Sequence, residues 1–427
     1  MGDVGQGVAI IGAGRIGVPW GAVLAATQDV EVTCIDIDED RVATLNSGTA
    51  PFSEPQLDEY LATAVESGTL AATTDPSAVT DHQYVAFAVN APRNGMSEFL
   101  ETVREYGPYL RDDHTVVNRV TLPVDMIGRM RETIAKHAEG DPTFAAFPER
   151  LAEGKAIEEI KSLPKIVGVD DEQGRESMHE LLRSFDADIK FTDPETAMFV
   201  KLIDNSYRDA LFAIANQIAY TADQLDLDAH KAISLANYEY PRNDIPTPGP
   251  VGGKCLPKDP HFLTDERVCD QPTTPDLFNA TRRTNAHLSS YTVTQVVRRQ
   301  PSKVAMLGLS YKRGVGDTYN SPAKDIADSL EAQGLPVVAY EPHVDGYDDL
   351  SGTLDGADVV ILAVNHGEFE GLEPQINDLT AENATVYDLW GALDRDKLTR
   401  TYDGFGIAGD QNETTSRAGH KNTPVKE

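Results

Sequence analysis

Short apolar runs alternate along this chain with stretches whose apolar residues recur at helical spacing, the pattern of strands interleaved with helices. The run from Val8 to Ile11 meets Gly12-Ala13-Gly14-Arg15-Ile16-Gly17, small and apolar residues follow at helical spacing, and a second apolar run ends at Asp36. Cys34 sits inside that second run and reads as a buried strand residue. Further strands are predicted over Tyr84 to Val89, Thr115 to Val120 and Lys165 to Val169. From Pro194 to Ala236 the pattern turns helical, with Met198, Leu202, Leu211, Ile214 and Ile218 on one side. A loop dense in proline and glycine follows from Tyr240 to Pro260, a composition usual for functional loops in compact enzymes. A second alternating unit begins near Ser302, with KVAMLGLSY, a helix from Ser321 to Gln333, PVVAY, and a strand from Asp358 to Val364. From about Gly409 the chain turns polar and reads as a disordered tail.

The pattern predicts an α/β protein with two Rossmann-like domains joined by a long central helix. The segments divide as 1–193, a dinucleotide-binding domain; 194–298, a helical connector with the glycine-rich loop; 299–408, a second Rossmann-like domain; and 409–427, the tail. A length of 427 residues agrees with about three domains at roughly 150 residues each.

Composition changes this picture in one respect. The net charge is −32, its acids spread through segments such as DIDED, EGKAIEEI and DQLDLDAH, and arginine outnumbers lysine. Such a surface argues against nonspecific binding to nucleic acid or anionic membranes, and suggests adaptation to high salt, where self-repulsion is screened. An ordinary acidic enzyme is the plainer alternative. No apolar run reaches the roughly 18–20 residues of a membrane span, and the N-terminus lacks a basic n-region, so a cytoplasmic chain is expected. Three cysteines, Cys34, Cys255 and Cys269, at spacings unlike those of metal ligands indicate neither a disulfide framework nor a metal site.

Strand, glycine turn, helix and strand, with an acid about 20 residues past the glycines, is the dinucleotide-binding fingerprint. Gly12 permits the turn, Gly14 lets the backbone approach a pyrophosphate, and Gly17 lets helix and strand pack closely. The helix N-terminus offers amide donors and a positive dipole end. Asp36 can accept from a ribose 2′-hydroxyl and would repel a 2′-phosphate, which favours NAD over NADP.

Three further groups could carry chemistry. In Gly252-Gly253-Lys254-Cys255-Leu256-Pro257-Lys258-Asp259, a helix starting at Cys255 would put Cys255 and Asp259 on one face, and the flanking lysines would stabilise a thiolate. A buried structural cysteine in a turn is the other reading. Lys201 and Asn205, four apart on the connector helix, could stabilise an oxyanion or move a proton, or could simply face solvent. Glu149 and Glu153, in PERLAEG, could position water or be helix-start acids favoured by the dipole.

Together these segments resemble the nucleotide-sugar 6-dehydrogenases, the UDP-glucose/GDP-mannose dehydrogenase family. The resemblance runs from about Val8 to about Trp390 through VAIIGAGRIG, PFSEPQL, VNAP, PERLAEG, KLIDN, GGKCLPKD and GLSYKRGVGDTYNSP. It implies an NAD-binding domain, a helical dimer-forming connector and a UDP-binding domain. It also implies a four-electron oxidation of a UDP-sugar by two NAD⁺ through a thiohemiacetal and a thioester on Cys255. Carried over by motif, Cys255 is the nucleophile, and Lys201, Asn205 and Asp259 serve oxyanion stabilisation and proton transfer. Glu149 assists thioester hydrolysis, and Thr121 helps hold water near the nicotinamide. The cofactor set is Gly12, Gly14, Arg15, Ile16, Gly17, Asp36, Arg41, Val89, Asn90, Pro92, Thr121, Glu153 and Lys258. The substrate set is Glu149, Arg150, Lys201, Asn205, Arg242, Gly252, Gly253, Tyr311 and Lys312, and a homodimer or higher oligomer is implied.

Asn237 to Ile245 and Pro148-Glu149-Arg150 resemble the UDP-N-acetylhexosamine branch, with UDP-N-acetylmannosamine or UDP-N-acetylglucosamine as substrate. Lys254, where that branch has histidine, and Pro257-Lys258-Asp259 look more like the UDP-glucose and GDP-mannose enzymes. Tyr319 and Trp390 stand at or near positions that are basic in the family, weakening an expected contact to cofactor and one to substrate. Two other classes remain in view: a two-electron hydroxyacid dehydrogenase, which needs no cysteine, and a non-catalytic NAD or nucleotide-sugar binder, which needs no nucleophile with helpers.

Overall fold

A computed structural model describes residues 7–28, 30–183, 185, 187–264 and 276–408. The expected tail from Gly409, and Cys269, lie outside the described residues. The described residues form two compact units: those up to Asn205 with 261–264, and Ser206–Pro260 with 276–408.

The first unit is built on eight strands: β1 (Gly7–Ile11), β2 (Glu31–Ile35), β3 (Leu70–Thr73), β4 (Tyr84–Phe87), β5 (Thr115–Asn118), β6 (Thr143–Ala146), β7 (Lys165–Val169) and β8 (Ile189–Thr192). They lie in the order β3-β2-β1-β4-β5-β6-β7-β8. Every pairing is parallel except β6 with β7. Strands β1, β4 and β5 are buried at every residue, which is why they read as continuous apolar runs: a parallel sheet is covered on both faces. Because β1 to β6 share one direction, the segments that follow them emerge at one edge of the sheet, the edge where such sheets bind ligands.

The predicted strands over Tyr84–Val89 and Thr115–Val120 each end two residues early, at Phe87 and Asn118. The Asn118 side chain bonds Val120 at both its amide and its carbonyl, each at 3.1 Å, and turns the chain out of the sheet.

The second unit holds a fully parallel sheet of β9 (Val304–Leu307), β10 (Val337–Tyr340), β11 (Val359–Leu362), β12 (Thr385–Asp388) and β13 (Thr401–Gly404), in the order β10-β9-β11-β12-β13. The helix predicted to begin at Ser321 spans Pro322–Ala332, with Ser321 as its N-cap.

The predicted single helix over Pro194–Ala236 is instead two, Pro194–Leu225 and Ala229–Asn237. Asp226 takes a φ of 54°, which stops the first, and Asp228 starts the second by accepting from the Lys231 amide at 2.9 Å. Ile214, expected on the buried side of the longer helix, is 50 % exposed. The buried stripe instead runs through Met198, Lys201, Leu202, Asn205, Asp209, Ala213 and Asn216, so polar residues interrupt the apolar period. Among the described residues no helix is long and apolar enough to cross a membrane.

Candidate functional site

The glycine turn follows β1. Gly12 has a φ of 100°, and a Cβ there would lie 2.9 Å from the backbone of Ala88 and Val89. A Cβ on Gly17 would lie 2.5 Å from the Gly12 carbonyl, whereas one on Gly14 would meet nothing within 4 Å. The first and third glycines are therefore dictated by the protein's own packing. The middle one faces open space at the start of helix Gly17–Gln28, the cradle that a pyrophosphate needs.

Asp36, just past β2, accepts from the Ala13 amide at 2.8 Å and from Arg41 Nη1 at 3.1 Å. It thus stands beside the turn, with a cation at its flank. Val89, Asn90 and Pro92 follow β4, with Asn90 and Pro92 exposed. These residues fit an NAD molecule along the edge: when bound, it supplies the hydride acceptor.

After β6 come Phe147 to Glu153. Arg15 and Glu153 form an ion pair at 2.6 Å, with the Arg15 guanidinium 4.8 Å from the Phe52 ring centre. Glu54, in the PFSEPQL segment, is buried and accepts from the amides of Gly154 and Ala156, both at 2.9 Å. It tethers this loop and caps the short helix Ala156–Ser162. Glu149 pairs with the buried Arg119, and Arg150 Nε reaches Asp204 at 2.7 Å. Thr121 is buried beyond β5. Lys201 and Asn205 are also buried, so the solvated-face reading does not hold for them. Sequence reasoning named the segments holding Glu54 and Arg119 but gave neither residue a role.

In the second unit the expected α-helix at Cys255 is a single turn: the amides of Lys258 and Asp259 donate to the Cys255 carbonyl at 3.0 and 2.8 Å, and a 3₁₀ turn, Asp259–Leu263, follows. Pro257 and the glycines ahead of it leave too little regular backbone for a macrodipole. Cys255 is exposed, and Asp259 is fully buried with Lys258 Nζ at 3.6 Å. Cys34 is the opposite case, a buried thiol pushed up to about 12 first by burial and then by Asp36.

The cysteine loop interlocks with the loop after β9. The Gly253 amide donates to Asn320 at 3.1 Å, and Cβ atoms on Gly252 and Gly253 would lie 3.1 and 2.6 Å from Tyr311 side-chain atoms. Lys254 pairs with Asp317 at 2.9 Å and lies 5.8 Å from the Tyr319 ring centre. Lys254, which departs from the N-acetylhexosamine branch, and Tyr319, which departs from the family pattern, are thus neighbours. Lys312 follows Tyr311 in the same loop.

Trp390 donates its indole N–H to Ala363 at 2.9 Å and its ring covers Gly249, whose backbone Asn216 clamps at 2.8 and 3.1 Å. Asn216 in turn meets Asn285, which with Arg282 and Thr281 holds the buried Asp209. Burial raises the Asp209 carboxyl despite the opposing charge of Arg282. Arg242 is exposed on the preceding loop, 4.7 Å from the Tyr240 ring centre.

The sequence matches models of three domains of the UDP-glucose/GDP-mannose dehydrogenase family: the NAD-binding domain over residues 6–186, the central domain over 195–287 and the UDP-binding domain over 305–395. It is similar to a UDP-N-acetyl-D-mannosamine dehydrogenase of Pyrococcus horikoshii, 31% identical over 86% of this chain and 90% of that protein. One from Methanococcus aeolicus is 29% identical over 90% of this chain and 91% of that protein. The solved structure of UDP-D-ManNAc dehydrogenase from Pyrococcus horikoshii superimposes with a TM-score of 0.86, covering 94% of this chain and 100% of that one at 28% identity. The chain therefore belongs to the UDP-glucose/GDP-mannose dehydrogenase family and is an NAD-dependent dehydrogenase.

Proposed function

We propose that this enzyme oxidises the C6 hydroxyl of a UDP-N-acetylhexosamine to the carboxylate, with UDP-N-acetylmannosamine the favoured substrate over UDP-N-acetylglucosamine. The observation that carries the proposal is the exposed Cys255 in a glycine loop locked onto the Tyr311 loop of the UDP-binding domain. The names of the relatives, Pro148-Glu149-Arg150 and the Asn237 to Ile245 segment support the acetamido sugar. UDP-glucose is the second reading, favoured by Lys254 and Pro257-Lys258-Asp259.

In this mechanism Cys255 Sγ attacks the C6 aldehyde to form a thiohemiacetal, which keeps the aldehyde on the enzyme. Lys201 and Asn205 donate to the oxyanion, and Asp259 with Lys201 moves the proton. Two NAD⁺ in turn would accept the hydrides that C6 gives up as the alcohol becomes the aldehyde and the thiohemiacetal becomes the thioester. In the last step a water held by Thr121 attacks that thioester. Its proton passes to Glu149, the new C–O bond forms, and the C–S bond breaks to release the Cys255 thiolate. Burial of Lys201, Asn205, Thr121 and Asp259 supports these roles, since desolvated polar groups act more strongly than solvated ones.

Arg150, Arg242, Gly252, Gly253, Tyr311 and Lys312 bind substrate. Gly12, Gly14, Arg15, Ile16, Gly17, Asp36, Arg41, Val89, Asn90, Pro92, Thr121, Glu153 and Lys258 bind NAD. Phe199, Ile203, Tyr207 and Ile214 leave apolar surface exposed on the longer helix, which supports a homodimer or larger assembly.

The test is NADH formed per sugar with UDP-N-acetylmannosamine, UDP-N-acetylglucosamine, UDP-glucose and GDP-mannose, each in high-salt buffer with excess NAD⁺. Two NADH per UDP-N-acetylmannosamine is expected, and Cys255→Ser should abolish turnover while retaining NAD and UDP-sugar binding. Full turnover by Cys255→Ser removes the covalent mechanism. Two NADH from UDP-glucose alone moves the substrate to the other branch.

A further inference from the structure

A buried cation stands behind Glu149, and no role above uses it. Arg119 follows β5 and is 2% exposed. Its guanidinium lies between two rings, 4.5 Å from the centre of Trp20 and 4.2 Å from that of Phe147. Nη1 donates to the Phe147 carbonyl at 3.1 Å, and Nη2 pairs with Glu149 Oε2. The other carboxylate oxygen, Oε1, accepts from the Arg150 amide at 2.7 Å. Both oxygens of Glu149 are thus gripped by the protein, in a cleft whose walls include Trp20, Phe147, Leu151 and Phe185.

A general base must present a lone pair to the water it deprotonates, which fixes where its carboxylate may point. We infer that Arg119 is a positioning residue that holds Glu149 oriented for hydrolysis of the Cys255 thioester. The inference rests on the hydrolytic role proposed for Glu149. Its consequence is selective: thioester hydrolysis depends on Arg119, whereas the first hydride transfer does not.

The other charges that face Glu149 are Lys165, from β7, and Arg150, whose guanidinium is turned to Asp204. Lys165 donates to the Ile160 carbonyl. Burial lowers its pKa to about 8, against the pull of Glu149, with Arg119 lowering it further. Burial also lowers the pKa of Arg119, opposed by Glu149, but a guanidinium starts so high that it keeps its proton. Its planar fork also suits the place: one face stacks on each ring while the edge reaches both the carbonyl and the carboxylate, which a lysine ammonium cannot do.

The test compares Arg119→Lys, Arg119→Met and Glu149→Gln in the full-length enzyme with UDP-N-acetylmannosamine, or whichever of the four nucleotide sugars turns over. Steady-state rate, the rapid first phase of NADH formation, and the mass of the Cys255 acyl adduct are read together. For Arg119→Met the steady-state rate should fall about tenfold or more. The adduct should accumulate while the rapid NADH phase stays within about threefold of wild type. Arg119→Lys should show the same changes, smaller. An unchanged steady-state rate and no adduct in the folded variants overturn the inference, and Arg119→Lys decides if Arg119→Met does not melt cooperatively. Glu149→Gln separates the two claims. If it clears the thioester at the wild-type rate, the role of Glu149 fails and this inference with it. If it stalls while the Arg119 variants do not, only the positioning by Arg119 fails.

Discussion

The turns after β1 and β9 begin alike and part within a few residues. Gly12 and Gly308 have φ values of 100° and 94°, and each lies against the segment that leaves the next strand of its sheet. Cβ atoms there would fall 2.9 Å from the backbone of Ala88 and Val89 and 2.5 Å from the Val364 Cβ. In each unit an acid past the neighbouring strand then catches the amide after the glycine. Asp36 takes Ala13 at 2.8 Å; Glu341 takes Leu309 at 2.8 Å and Ser310 at 2.9 Å.

From there the first chain enters helix Gly17–Gln28 at once, with Gly14 open. The second detours through Tyr311 and Asp317 before helix Pro322–Ala332. The acids differ too. Asp36 keeps a partly exposed edge, whereas Glu341 is fully enclosed and also takes the His343 amide and His366 Nε2, both at 3.1 Å. One scaffold thus gives an open glycine cradle or a braced loop of the UDP-binding domain according to whether the acid keeps an exposed edge or is enclosed.

The sharpest way to break this comparison is to add one methyl to each turn. Gly12→Ala and Gly308→Ala both force a side chain into positive φ and into contact, each costing about 2–4 kcal/mol of stability. Their functional effects should separate. Gly12→Ala loses NAD binding, read by quenching of tryptophan fluorescence, while Gly308→Ala keeps NAD affinity and loses UDP binding. Equal loss of NAD affinity in both would mean that the second turn is not confined to substrate.

A smaller change isolates the two acids. Asp36→Asn keeps the acceptor for Ala13 but removes the charge that would repel a 2′-phosphate, so the ratio of kcat/KM for NAD over NADP should fall about tenfold, roughly 1.4 kcal/mol. Glu341→Gln should leave that ratio alone and cost about 1–3 kcal/mol of stability. Burial alone would raise the Glu341 carboxyl, but the His366 hydrogen bond and the Leu309 and Ser310 amides outweigh it and hold it at about 2, against an ordinary 4.5. A pKa lowered by folding gives stability that is present above about 4.5 and lost as the pH falls toward 2. The gap between wild type and Glu341→Gln in urea melts should therefore narrow below pH 4.5. A gap of constant size would assign the contribution to shape rather than charge.

His343, His366 and Glu368 have donor atoms within 4.8 Å of one another, but both His366 nitrogens are engaged, Nε2 with Glu341 and Nδ1 with the Gly314 amide at 3.0 Å. That cluster braces the substrate loop.

How legible each of these features was in the sequence follows from how local its cause is. The first turn could be read glycine by glycine because the three residues answer to contacts within one strand–turn–helix unit. The second turn was read only as a strand unit with Gly308, since Glu341 and His366 come from distant strands and carry no local spacing. The break at Asp226 was hidden because DQLDLDAH keeps an apolar period across it, and only the backbone at Asp226 and the Asp228 cap reveal two helices. Ile214 was misplaced for a related reason: the buried stripe includes Lys201, Asn205, Asp209 and Asn216, which a hydrophobic period scores as surface. Arg119 lies in a segment read only as a strand, and nothing local announces the rings of Trp20 and Phe147 around it.

The smallest effect concerns what fastens the cysteine loop. Lys254 and Asp317 lie 2.9 Å apart, with the lysine side chain 49% exposed, so the pair should contribute no more than about 1 kcal/mol. The neighbouring Gly253 to Asn320 backbone bond and the packing of Gly253 on Tyr311 carry no charge. The net charge of −32 is spread over many acids, and the screening length falls from about 10 Å at 0.1 M salt to about 3 Å at 1 M. Screening should raise the melting temperature of the wild type with KCl, because dispersed acids repel less, while weakening the Lys254–Asp317 pair. Lys254→Ala should consequently melt slightly below wild type at about 0.1 M KCl and together with it at about 1 M. If the deficit persists at high salt, the contact of Lys254 with the Tyr319 ring, rather than its charge on Asp317, is what it supplies. A wild type whose melting temperature does not rise with salt would show that repulsion among the dispersed acids does not limit its stability, and the Lys254 deficit would then report on the local pair alone.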